Sequence, residues 1–178
     1  MTLINHNGIG VLVKEQDNKS IVAYAAWNDT IHGIAEYYNG NICLDLNKYH
    51  EIFDCPIGAY FSKSERDIIN TKIPDPKNIN GEELYNSLFL NILKSNQINS
   101  IEAKWFLDEQ DRPTLNLYQY NKQISSIPRT DRTLQHKIDA IQNTFSGQMA
   151  QKHGFNNVEI VEEAGISYIW QMHLYFRK

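Results

Sequence analysis

The order of periodicities in the last third of the chain most constrains what it can fold into: a hairpin pattern, an amphipathic helix pattern and a second hairpin pattern run on as far as Phe176. The helix pattern is the clearest. Leu134, Ile138, Ile141, Phe145 and Met149 are spaced by four, three, four and four residues, which puts them on one face of a 3.6-residue turn. Pro128 stops the preceding segment, Thr130 or Asp131 supplies an N-cap, and Gly154 follows Lys152 and His153 where a left-handed C-cap belongs. Gly147 weakens the helix interior by about 1 kcal/mol relative to alanine. A close helix–sheet contact would account for it.

Period two flanks the helix on both sides. Ile101, Ala103, Trp105 and Leu107 alternate with Glu102, Lys104 and Asp108, and Leu115 and Leu117 begin a partner strand after Gln110-Asp111-Arg112-Pro113. Beyond Gly154, Val158, Ile160 and Glu162 lead to a Glu163-Ala164-Gly165 turn, and Tyr168, Trp170, Met172, Leu174 and Phe176 take every second position. Both segments predict antiparallel hairpins that share a core with the helix. Tyr118 and Tyr120 alternate away from Leu115 and Leu117, which predicts an exposed aromatic strip.

In the N-terminal half, Gly10–Val13 and Ser20–Trp27 read as a hairpin, and Asn28-Asp29-Thr30 caps a short helix through Ile34 and Tyr37, closed by Asn39-Gly40. His32 and Glu36 would meet on that helix as a surface pair. Ile42–Leu46 and Ile57–Phe61 are further strands. Ser62 with Glu65, and Asn80 with Glu83, have the capping-box spacing, the second opening a helix that bears Leu84, Leu88 and Ile92. The fold class is therefore α+β, mainly an antiparallel sheet built from hairpins and packed against three or four helices. One domain spans 1–178, with a candidate subdivision at 71–79, where Pro74 and Pro76 interrupt any periodicity.

A chain of 178 residues with 42% apolar composition can bury a sizeable core without staples. Its longest apolar run, Ile21–Trp27, is too short to span a membrane, and its first six residues lack the basic and apolar parts of a signal peptide. The expected location is the cytoplasm, with Cys43 in a strand core and Cys55 beside Asp54 as free thiols. The net charge of −4 is unevenly distributed: residues 1–100 carry eight Lys/Arg against twelve Asp/Glu, and residues 101–178 carry nine against nine. Acid excess disfavours nucleic acid, whose phosphates demand a basic face, and suits a basic protein partner.

Several constellations bear on chemistry. Two carboxylates and a lysine in Pro74-Asp75 and Glu102-Ala103-Lys104 resemble a PD-(D/E)xK nuclease site, a resemblance that implies Asp75 and Glu102 holding Mg²⁺ and Lys104 helping to activate water. Glu102 and Lys104 would share one face of a strand. On this reading, though, the strand leads into a hairpin, where that family has a helix. Arg129-Thr130-Asp131-Arg132-Thr133 sets guanidiniums and hydroxyls at a helix N-terminus, which favours an anion bound by Arg129, Thr130 and Arg132. With Lys152-His153-Gly154-Phe155 closing the helix, this segment resembles acyl-CoA-binding N-acetyltransferases, although their glycine-rich pyrophosphate loop is absent. The six histidines form no HxxxH or HxH pair, so neither a metal nor another cofactor is expected. Cys43 or Cys55 with His153 and Asn156 has the residue types of a cysteine hydrolase but no flanking signature, and Ser146-Gly147 falls inside a helix, the wrong place for a nucleophile.

The reading that fits charge, size and the ten tyrosines is a non-catalytic cytoplasmic binding or inhibitor protein, in the manner of a bacterial immunity protein that neutralises a basic toxin domain. Asp45, Tyr49, Glu51, Asp54 and Tyr60 are its contact candidates, because acid excess and tyrosines coincide there. Frequent Asn and Ile fit an AT-rich bacterial or phage source. The alternative is a small enzyme, either the Mg²⁺-dependent nuclease or the anion-binding transferase.

Overall fold

The computed structural model describes residues 2–6, 9–16, 20–27, 30–38, 40–45, 64, 82–83, 85–87, 89, 97–107 and 113–178. Its class is α+β. Contacts divide the chain into two compact units, Met1–Ile98 and Asn99–Lys178. Residues 71–79 lie outside the described residues.

Turn chemistry shapes the first unit. Strands β1 (Thr2–His6), β2 (Ile9–Gln16), β3 (Ser20–Trp27), β4 (Thr30–Tyr38) and β5 (Asn41–Asp45) pair antiparallel, each with the next. The pairs His6↔Ile9 and Tyr38↔Asn41 each leave two residues between strand ends, Asn7-Gly8 and Asn39-Gly40, and Gly40 has φ +82°. Asn-Gly is the dipeptide that the primed turns of two-residue hairpins favour, because both central residues need positive φ. The helix expected over 30–37 is accordingly a strand. Thr30, Ile31, Ile34, Tyr37 and Tyr38 suit a pleat, Gly33 disfavours a helix interior, and Gly40 stands in a turn between β4 and β5 rather than at a helix end. His32 and Glu36 thus stand about 13 Å apart along an extended chain, not one helical turn apart.

Helical backbone at 82–83, 85–87 and 89 agrees with the helix expected after Asn80, and Ser64 is helical too. The described core of that helix is Tyr85 and Phe89, four residues apart, with rings stacked at 5.9 Å. Leu84, Leu88, Ile92 and the strand expected over 57–61 lie outside the described residues.

The second unit contains β6 (Ser100–Phe106), α1 (Leu115–Ile124), a 3₁₀ turn (Arg129–Asp131), α2 (Leu134–Gln142), α3 (Phe145–Lys152), β7 (Asn157–Ala164) and β8 (Gln171–Arg177). β8 pairs antiparallel with both β6 and β7. Ile101, Ala103 and Trp105 on β6 and Met172, Leu174 and Phe176 on β8 form the buried face, where alternation places them. The alternation expected from Tyr168 fails before Met172. A bend over 166–168 buries Ile169 and leaves Tyr168 and Trp170 exposed.

Two elements depart from the sequence reading for local reasons. Leu115 and Leu117 do not begin a strand. A single bridge, Leu107↔Pro113, is followed at once by α1, whose buried side chains Leu117, Tyr120, Asn121 and Ile124 keep helical spacing. Period two pairs Leu115 with Leu117 and Tyr118 with Tyr120, whereas the helix pairs exposed Leu115 with Tyr118 and buried Leu117 with Tyr120, a spacing that Asn121 and Ile124 continue. Tyr118 is exposed as expected, but Tyr120 is fully buried, so the two form no strip.

The single long helix is two. Asn143 ends α2, and buried Thr144 accepts from the Gly147 N–H to cap α3. The amides of Phe145 and Ser146 donate to Gln119 Oε1 and Asn116 Oδ1 of α1, both at 2.8 Å. Three side chains therefore satisfy the first turn of α3. Gly147 is explained by this break: a Cβ there would stand 2.2 Å from the Ile141 carbonyl oxygen and 2.7 Å from Gln142 Cα. The close approach is between helices, not between helix and sheet. The N-cap of α2 is Thr133, in a capping box with His136, rather than Thr130 or Asp131. Gly154 has φ +83° after Lys152 and His153, as its position implied.

Candidate functional site

Alternation along β6 sends Glu102 and Lys104 to the sheet face opposite Ile101 and Trp105, and their side chains meet at 3.1 Å. Across the strand pair, Lys104 faces His173 and Glu102 faces Tyr175, so His173 reaches Glu102 diagonally, Nε2 to Oε1 at 2.8 Å. Burial raises the Glu102 carboxyl, but hydrogen bonds and charge from Lys104, and then from His173, outweigh it and hold the pKa below its ordinary value of 4.5. The same face continues with Tyr175, whose ring packs against His173 and lies beneath the Arg177 guanidinium, itself bonded to Glu159 of β7. It is a mosaic of cross-strand ion pairs.

The resemblance to a nuclease site meets this face in part. Glu102 and Lys104 share it, and beyond the Leu107↔Pro113 bridge the described chain continues as helix α1. Asp75 lies outside the described residues. Among the described residues no three His, Cys, Asp or Glu side chains are grouped to hold a metal.

A second polar cluster lies on the helix side of the sheet. The Tyr120 hydroxyl donates to Glu163 Oε1 at 3.0 Å, and Lys137 of α2 bonds Oε2 of the same carboxylate. Burial, reinforced by the charge and hydrogen bond of Glu163, pushes the Tyr120 phenol far up, and Arg132 opposes it weakly. A bulge between Ile160 and Glu162 lets Glu163 point inward, because it shifts the register of the last residues of β7.

The residues proposed for an anion are bonded within the protein. Arg129 donates to Ser167 Oγ at 3.0 Å, Arg132 Nε donates to the Ile127 carbonyl at 3.0 Å, and Thr130 donates to Asp131 at 2.8 Å. Arg129 and Thr130 lie in a one-turn 3₁₀ segment ahead of α2, and Arg132 is its C-cap. Burial and then Lys152 push the His153 pKa down. Cys43 lies on β5, as does Asp45, while Cys55, Tyr49, Glu51, Asp54 and Tyr60 fall outside the described residues. Ser146 is in the first turn of α3.

One concave feature among the described residues has no counterpart in the sequence patterns. A groove of about 290 Å³ lies between α1 and the 165–169 bend, lined by Tyr118, Asn121, Lys122, Ser125 and Tyr168. Its floor is rigid. The buried Asn121 amide donates to the Ile169 carbonyl at 2.8 Å and its oxygen accepts the Ile169 N–H at 2.9 Å. One side chain thus satisfies both backbone groups of a residue 48 positions away. No short-range sequence signal marks such a pair.

Among the described residues, no helix is long and apolar enough to cross a membrane. No protein-family model, no curated protein and no solved structure matches this chain.

Proposed function

We propose that this protein is a non-catalytic cytoplasmic binding or inhibitor protein that covers a basic partner, in the manner of an immunity protein covering a toxin domain. The observation that carries the reading is how charge is arranged in Asn99–Lys178. Glu102 is closed on Lys104 and His173, Glu163 on Lys137, and Glu159 on Arg177. With nine acids against nine bases, that unit is neutral in count, so the acid excess belongs to residues 1–100. A basic surface would be drawn there, where Asp45, Tyr49, Glu51, Asp54 and Tyr60 are the contact residues. The finer arrangement expected for the whole chain, an antiparallel sheet of hairpins against three or four helices, would give this surface a rigid support.

The test is affinity capture from the source organism's lysate in low salt, run in parallel with an Asp45→Lys/Glu51→Lys/Asp54→Lys variant. A stoichiometric basic protein held by the native chain and lost by the variant is the expected result. Equal capture by both would overturn the assignment of this region.

A second reading is kept because Glu102 and Lys104 share one sheet face: a Mg²⁺-dependent nuclease using Asp75, Glu102 and Lys104. Cleavage of nucleic acid that requires Mg²⁺ and is abolished by Glu102→Gln would replace the binding reading. Inactivity of the native protein over a range of Mg²⁺ concentrations would remove it.

A further inference from the structure

The 165–169 bend makes a knob and a hole side by side. Gly165 has φ +125°, and a Cβ on it would lie 2.2 Å from the Tyr168 carbonyl oxygen, so the bend leaves no room for a side chain there. This closure thrusts Ile166 into solvent, where it is 82% exposed, the highest value among the exposed large apolar side chains described. Two residues on, Tyr168 forms one wall of the groove whose other wall is Tyr118. Arg129 holds Ser167, and Asn121 holds Ile169, so both ends of the bend are tied.

Exposed apolar side chains lie near this pair, beside the polar groove residues Asn121, Lys122 and Ser125. Leu115 (60% exposed), Tyr118 (53%) and Lys122 follow one another along α1, and Tyr168 (46%) and Trp170 (49%) run beside them. Hydrogen bonds from Leu107 to Trp170 and from Thr114 to Phe106 bring the start of α1 to the Trp170 end of the sheet. With side chains of 150–250 Å² for the aromatics and somewhat less for Leu115 and Ile166, these five leave roughly 500 Å² of largely apolar surface. That is at the upper end of what a monomer normally exposes in one patch.

We propose that this face joins two copies of the chain, each inserting Ile166 into the Tyr118–Tyr168 groove of the other. Knob and hole sit on one patch, so a two-fold axis can satisfy both insertions at once and close the assembly at a dimer. An isoleucine side chain fits within 290 Å³. If 500 Å² is about 65% of the interface, as in homodimers, each copy buries roughly 800 Å², the standard size for a stable pair. The basic partner proposed above is a poor occupant, because the charge in the groove is the Lys122 ammonium, and the Arg129 guanidinium stands at the bend. In the two-fold pair the ammonium instead meets the aromatic rim of the second copy. The tied bend means little order is lost on association.

Sedimentation equilibrium of the full chain from about 1 to 100 µM, in salt high enough to screen surface charge, tests this directly. The native chain should show a monomer–dimer equilibrium with no larger species. Ile166→Ser and Tyr118→Ala should each raise the dissociation constant at least tenfold with unchanged circular dichroism, and Leu134→Ser, at a 65% exposed site on α2, should leave it unchanged. A monomer throughout, open-ended assemblies, or equal weakening by Leu134→Ser would overturn the proposal. None of these outcomes bears on capture of a basic partner by residues 1–100.

Discussion

Gly147→Ala separates a local rule from a tertiary one. In an exposed helix interior this substitution stabilises by about 1 kcal/mol, because alanine loses less backbone entropy and hides more backbone. Position 147 is buried in the first turn of α3, and the new methyl would stand 2.2 Å from the Ile141 oxygen and 2.7 Å from both Gln142 Cα and Gln142 O. All three are backbone atoms, so no side chain can swing aside and α3 must move away from the end of α2. That movement stretches the bonds from Phe145 and Ser146 to Gln119 and Asn116. Overpacking of this kind costs about 1–3 kcal/mol, and weakening a charge-neutral hydrogen bond adds about 1. Set against the propensity gain, the net expectation is destabilisation by about 2 kcal/mol. Urea unfolding followed by tryptophan fluorescence, which reports Trp105 and Trp170 in this unit, measures it as a lowered midpoint at unchanged slope. A variant as stable as the native chain, or more stable, would refute the two-helix packing.

Other substitutions probe the remaining polar contacts. Asn121→Ala strips both backbone groups of Ile169 of their partner, and two buried unsatisfied groups should cost about 2–4 kcal/mol, read by the same unfolding assay with a shift in Trp170 emission; a loss under 1 kcal/mol would contradict the clamp. Tyr120→Phe leaves the ring in place but removes the donor to Glu163, and about 1.5–3 kcal/mol is expected for a bond to a charged acceptor; an unchanged midpoint would show that water or Lys137 compensates. The lowered Glu102 pKa sets a sign. Between the folded value and 4.5 the unfolded chain binds more protons, so stability rises with pH there, is fully present above 4.5 and is lost as pH falls through the folded pKa. Glu102→Gln should flatten that acid limb, and an identical limb in the variant would remove Glu102 as its source.

How far these features could be read from the chain follows from the range of the interactions. β6, β8 and the Gly154 cap were legible because strand alternation and a left-handed glycine are local properties. The first unit was misread at β4 because its apolar residues do not alternate cleanly, so the decisive signal was Asn39-Gly40, a dipeptide that closes a helix or turns a hairpin equally well on paper. α1 was hidden because Leu115 and Leu117 are two apart and invite a strand reading over too few residues to test it, and because Asn121 is a polar residue at a core position whose partner is Ile169. The break at Thr144 left no trace in the apolar pattern, since Met149 falls in phase with Ile141 across it. Glu163 was assigned to a turn, yet the β7 bulge aims it at Tyr120. The groove was illegible for the same reason as the clamp: its walls, Tyr118 and Tyr168, come together only through contacts some 50 positions apart, which no periodicity carries.

The most direct test of the central claim, that acid excess in residues 1–100 holds a basic partner, is the salt dependence of affinity for the captured protein. Titration calorimetry at 50 and 500 mM NaCl compares conditions in which the screening length falls from about 14 Å to about 4 Å. The account predicts that affinity drops at least tenfold and that Asp45→Lys/Glu51→Lys/Asp54→Lys removes most of the difference. Affinity that is indifferent to salt and to charge reversal would contradict it.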